Sequence, residues 1–222
     1  ICRNLDRANF IYKLMNNVSS TGTCFIIGAN NVTLDGGGKT IIYGNSSGGT
    51  FYGIASTGFN YLTIKNLSVS RGTDAVFSDL RYGIYLSGSQ SQYNNISGIT
   101  ANSNFYGIYL KNSINSYSNF NDIVVNNNSA GIYIDTSKYS NFSQITANYN
   151  NKGIWVLGGE FNNLNNITTA NNNINIVLEA YSANNIVNSF NINFGGNGVL
   201  IDSGSTNSLV NGIINSSSGN AF

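Results

Sequence analysis

A four-residue phrase, Gly-apolar-x-apolar, returns along this chain at an interval that leaves few folds open. It stands as Gly83-Ile84-Tyr85-Leu86, Gly107-Ile108-Tyr109-Leu110, Gly131-Ile132-Tyr133-Ile134 and Gly153-Ile154-Trp155-Val156. Degraded copies follow at Asn175-Ile176-Val177-Leu178 and Gly198-Val199-Leu200-Ile201, and an earlier one is Gly53-Ile54-Ala55. From Gly83 onward the first positions are 24, 24, 22, 22 and 23 residues apart, while Gly53 precedes Gly83 by 30, so one loop near Arg71–Asp79 is longer. Two further phrases keep the beat. One is Asn95-Ile96-x-x-Ile99, Asn119-Phe120-x-x-Ile123, Asn141-Phe142-x-x-Ile145 and Asn163-Leu164-x-x-Ile167. The other is Asn102-x-Asn104, Asn126-x-Asn128, Asn148-x-Asn150 and Asn171-x-Asn173.

Each unit therefore holds short stretches with alternating apolar positions, separated by Asn, Gly and Ser, and apolar residues at helical spacing are missing. Helix-free units of 22–24 residues do not fit ankyrin or tetratricopeptide repeats and are too short for propeller blades. They fit one turn of a parallel β-solenoid, an all-β fold. Turns stacked at the spacing of hydrogen-bonded strands rise about 4.8 Å each, so eight or nine turns make a rod roughly 40 Å long.

Such a rod predicts columns. Ile84, Ile108, Ile132 and Ile154 should point inward and stack on one another. Asparagine tolerates left-handed corners and hydrogen-bonds its own backbone, and aligned amides can link turn to turn. Asn95, Asn119, Asn141, Asn163 and Asn185 are the candidate ladder, with plain turn propensity as the alternative. Proline, which would delete a donor from an interior coil, is absent.

Composition excludes more than it proposes. Ten Lys and Arg face nine Asp and Glu, too few cations for a nucleic-acid partner. The absence of histidine removes Ser-His-Asp and Cys-His catalysis and His-ligated zinc, and neither cofactor nor metal is expected. No apolar run approaches the roughly 18 residues of a membrane span. Asparagine is roughly a fifth of the chain, so solubility rests on amides and hydroxyls. Cys2 and Cys24, the only thiols, read as a disulfide made outside the cytosol, worth about 3 kcal/mol in lost chain entropy. Two buried free thiols are the alternative. The chain opens at Ile1 without an initiator methionine and reads as a processed chain or an excised segment.

The opening residues, Cys2…Tyr12-x-Leu14…Gly22-Thr23-Cys24-Phe25-x-Ile27…Asn31-Val32-Thr33-Leu34-Asp35-Gly36-x-Gly38-x-x-Ile41, resemble the first coils of NosD-like right-handed parallel β-helix proteins. These belong with the carbohydrate-binding and sugar-hydrolase β-helix superfamily, frequent in microbial surface proteins. The resemblance spans essentially the whole chain. It implies the fold and a place at the cell surface, but little about activity, since lyases, epimerases, adhesins and inert surface proteins share that scaffold.

Individual motifs are weighed against this background. Gly36-Gly37-Gly38-Lys39-Thr40 is not a phosphate loop: Thr33 stands where the required glycine would be, and a strand follows instead of a helix. Among the acids, Glu179 and Asp202 follow the phrase in successive units and would lie one rung apart, in the range of a retaining carboxylate pair. No Lys or Arg lies beyond Lys152 to assist them, and solvated surface acids are the simpler reading. The third phrase position, Tyr85, Tyr109, Tyr133 and Trp155, should form an exposed aromatic strip for sugar rings or protein contacts, unless neighbouring side chains cover it. Glycan acceptor motifs occur at Asn17, Asn31, Asn45, Asn66, Asn127, Asn166 and Asn215. Asn95 and Asn141 carry the motif too, in competition with their place in a buried ladder.

The expectation is one β-helix domain over 1–222, with stapled coils over 1–45 and regular coils over 46–222. Its expected role is that of an extracellular structural subunit of a surface layer, sheath or filament. It would stack head to tail through its last coil, at Phe222, and meet copies or neighbouring surface proteins through the aromatic strip. The rival is a carbohydrate-binding or carbohydrate-active protein that uses the same strip on glycans.

Overall fold

The computed structural model describes residues 1–73, 80–112, 116–202, 204–215 and 218–221. Asp74, Asp79 and Phe222, and with Phe222 the expected head-to-tail contact, lie outside them. The described residues form a right-handed parallel β-helix of about nine turns. Among them no helix is long and apolar enough to cross a membrane.

Each turn has three faces. Face A carries the phrase and runs from Arg3–Leu5 and Phe25–Ile27 through Phe51–Thr57, Arg81–Ser87, Tyr106–Lys111, Ala130–Asp135 and Lys152–Leu157 to residues 174–179 and 197–201. Face B begins at Ile11–Lys13 and includes residues 95–97, 119–121, 141–143 and 163–165. Face C begins at Val18–Ser19 and includes residues 99–101, 123–124 and 145–148.

Register follows the repeat. Ile84 pairs with Ile108, Ile108 with Ile132, Ile132 with Ile154, and Ile154 with Ile176. All five side chains are buried at 0–1% exposure, a continuous aliphatic column. Phe120 and Phe142 stack at 4.7 Å in the core of face B. Such columns let a narrow interior be filled from few residue types, at about 25 cal/mol per Å² of apolar area removed from water.

The phrase glycine is needed for clearance. A Cβ on Gly131 would stand 2.6 Å from the carbonyl oxygen of Gly153 and 2.9 Å from a methyl of Val125. In the longer early turn, Arg81 is wholly buried beside Phe51, its guanidinium 4.6 Å from the ring centre. It donates to the carbonyls of Gly44 (3.3 Å), Ser46 (2.8 Å), Gly48 (3.1 Å) and Gly49, and so fastens the 44–49 loop to face A. Cys2 and Cys24 are joined in a disulfide, Cα atoms 4.5 Å apart, tying the first coil to the second.

Candidate functional site

Outward-pointing side chains of face A build the densest chemical cluster. The third-position column is continuous: Tyr85–Tyr109 at 5.3 Å between ring centres, Tyr109–Tyr133 at 4.8 Å, Tyr133–Trp155 at 4.2 Å. A second column, formed by the residue before each phrase glycine, runs beside it. Tyr52–Tyr82 lie 5.6 Å apart and Tyr82–Tyr106 5.4 Å. Cross-contacts knit the two, with Tyr82–Tyr109 at 5.5 Å and Tyr106–Tyr133 at 5.0 Å.

This second column changes the exposure expected for the strip. Tyr109 and Tyr133 keep only 7% of their surface each, and Tyr85 and Trp155 are half-buried. Alternation along one strand gives the direction of a side chain but not what its neighbour covers. The cluster is therefore a packed aromatic flank, open at its margins rather than along its length.

Carboxylates border it. The Tyr109 hydroxyl donates to Asp135 Oδ2 at 3.1 Å. Trp155 Nε1 donates to Glu179 Oε1 at 2.6 Å, and Lys152 Nζ reaches the same oxygen at 3.4 Å while sitting 3.3 Å from the centre of the Trp155 ring. Burial, and then the charge of Asp135, pushes the Tyr109 and Tyr133 phenols far above the ordinary range. Burial, helped by Tyr106, pushes Tyr82 up to about 12. At neutral pH these phenols stay protonated and do not act as bases.

Glu179 and Asp202 stand on adjacent rungs, since Leu178 pairs with Ile201 and the Asp202 amide donates to the Leu178 carbonyl at 3.0 Å. The Glu179 carboxylate is nonetheless taken by Trp155 and Lys152 of the preceding turn. Lys152, the last Lys or Arg in the chain, is thus an ion-pair partner of Glu179 that the linear spacing concealed.

The asparagines divide into two sets. Asn95, Asn119, Asn141 and Asn163 are in register but exposed, with one amide bond, Asn141 Nδ2 to Asn119 Oδ1 at 3.2 Å, along that column. Asn185 does not continue it, because Asn163 pairs with Ile186. Asn185 is buried in another ladder, taking a bond from Asn162 Nδ2 at 2.9 Å and giving one to Asn207 at 2.8 Å. The longest buried ladder is one the phrase spacing passed over: Asn104, Asn128, Asn150 and Asn172, each amide donating to the next at 3.3, 3.1 and 3.0 Å. The second asparagine of each Asn-x-Asn pair was its available signal, and in the last pair the ladder residue is instead the central Asn172.

Of the glycan acceptor motifs, Asn17, Asn31, Asn66, Asn127, Asn166 and Asn215 are exposed and Asn45 is half-buried. Asn95 and Asn141 are exposed as well, so nothing buries them against modification.

The family model described as "Periplasmic copper-binding protein (NosD)" matches residues 14–194. No curated protein gives a match. Among solved structures, the A-module of a mannuronan C-5 epimerase from Azotobacter vinelandii is similar at 12% identity, over 94% of this chain and 77% of that one, with a TM-score of 0.49. An alginate lyase from a Paenibacillus species is similar at 14% identity, over 92% and 96%, with a TM-score of 0.38. Copper prefers imidazole, thiolate and thioether ligands. This chain has no histidine, both cysteines are spent in the disulfide, and Met15 is its single methionine. Among the described residues no group of three or more His, Cys, Asp or Glu converges. The donor set does not fit a copper site. By the span of its match, about four-fifths of its length, the chain belongs to the NosD family.

Proposed function

We propose that this protein works outside the cytosol as a carbohydrate-binding β-helix whose aromatic flank on face A contacts glycan. The disulfide supports the compartment, as does the word "periplasmic" in the family's description. One observation carries the binding reading: the Tyr and Trp stack, half-buried at its margins Tyr85 and Trp155, is bordered by Asp135, Glu179 and Lys152, which joins apolar ring surface to hydrogen-bonding groups at the rim. Binding without turnover is the reading, because Glu179 is held by two donors and the flank phenols are fixed as acids.

Trp155 is the only tryptophan, so its fluorescence reports on this flank alone. Titration with an oligosaccharide panel is expected to shift its emission saturably, and Tyr85→Ala to weaken the response. A flat emission across the panel would refute the reading. Cleavage of any glycan, lost in Glu179→Gln or Asp202→Asn, would convert it to an enzyme.

A further inference from the structure

A third aromatic column, apart from the two on face A, runs up the corner between faces A and B. Tyr61, Tyr93, Tyr117, Tyr139 and Phe161 stack ring on ring, centres 5.1–5.5 Å apart and planes within 12° of parallel. All five are left-handed, with φ between 43° and 59°. Bulky residues seldom adopt that conformation. The same corner is occupied by Asn31 before them and Asn184 after them, also left-handed, so the backbone does not ask for aromatic rings there. Four of the five are 44–56% exposed.

Because the rings spend their faces on one another, what they offer outward is a row of edges and, for four of them, phenol oxygens. Beside this row lies face B. Its outward positions across four turns are asparagine or serine throughout: the column Asn95, Asn119, Asn141 and Asn163, and the column from Ser97 to Asn165. The Ser97 column continues on the earlier rungs as Lys65 and Asp35, paired at 3.7 Å; beside the aromatic row Lys138 and Glu160 pair at 2.6 Å, and Asp122 sits at the far corner.

We propose that this corner and face bind a neutral, linear polysaccharide lying along the solenoid axis, with successive sugars meeting successive rungs. A surface that repeats every strand spacing, about 4.8 Å, suits a ligand that repeats on a similar scale. Amides and phenols both donate and accept, as sugar hydroxyls require. A charged polymer would find Lys65 and Lys138 already paired with carboxylates, and an exposed acid at Asp122. A protein strand has no edge to join, because the backbone here is already paired from turn to turn. A second copy would meet a surface lacking the apolar centre of a stable dimer interface.

The test is retention of the whole chain on cellulose, chitin and mannan, with alginate as the charged control. A variant set Tyr93→Phe, Tyr117→Phe and Tyr139→Phe keeps the stack and removes the hydroxyls. A second set with Asn at the same positions uses the residue this corner carries elsewhere. Retention on at least one neutral polymer, weakened about tenfold or more by either set with the unfolding midpoint held by the Phe set, is expected. No retention, retention on alginate alone, or full retention by both sets would overturn the proposal. Trp155 emission, read in the same samples, reports the face A reading separately, so either can fail while the other stands.

Discussion

Asn128–Asn150–Asn172 and Asn119–Asn141–Asn163 are two columns of the same residue, on the same turns, at the same period. The first is nearly sealed from water, and every member is bonded more than once. Asn150, for example, accepts from both the backbone and side-chain nitrogens of Asn128, at 2.8 and 3.1 Å, and donates to the Val125 carbonyl at 2.9 Å. The second is exposed and bonded once along its length. Phase within the turn decides which is which. A buried amide with several partners is costly to remove because each partner is left unpaired in a dry place, whereas an exposed one exchanges protein for water at little net cost.

The largest expected effect therefore lies inside. Asn150→Ala strands the Asn128 donors and the Val125 carbonyl, at about 1–3 kcal/mol for each group left unsatisfied, and should lower the denaturant midpoint severely. Equal losses from Asn150→Ala and Asn141→Ala would break the comparison.

Next comes the wall between core and surface. Gly131→Ala forces a methyl against the next turn's carbonyl, and overpacking of this kind costs typically 1–3 kcal/mol. An unchanged midpoint would mean that the turns are more loosely stacked than described.

The outer aromatic flank should respond to pH instead. Tyr82 is raised to about 12 from the usual 10, mainly by burial, so the folded state holds its proton more tightly than the unfolded state. That stabilisation is complete below pH 10 and is lost as pH rises from 10 toward 12. Urea melts across this window should show falling stability, and ultraviolet titration should show a fraction of tyrosines ionising late. Uniform ionisation near 10 would contradict the packing of the flank. Smallest of all, Asn141→Ala should shift stability by no more than about 0.5 kcal/mol.

Much of this fold was legible in the linear sequence. Intervals of 24, 24, 22 and 22 residues gave the register of face A, and Ile84 through Ile176 pair on those intervals. The site was less legible, for two physical reasons. Period tells which residues share a column but not the depth of that column at a corner, where alternation fails; Asn104 and Asn128 are inside and Asn95 and Asn119 outside for that reason. Lateral neighbours on one face also come from positions that no single phrase links. Tyr82 and Tyr106 cover Tyr109, and Lys152 reaches Glu179, only once the turns are stacked. The corner ladder did leave a signal, an aromatic residue two positions before each Asn-apolar-x-x-Ile phrase from Tyr93 to Phe161.

Residue-resolved hydrogen exchange of the asparagine side-chain amides tests this division most directly. Amides of Asn128, Asn150 and Asn172 should exchange only when the whole rod opens, while those of Asn95, Asn119 and Asn163 exchange freely. Similar rates in the two sets, or protection of the second set alone, would contradict it.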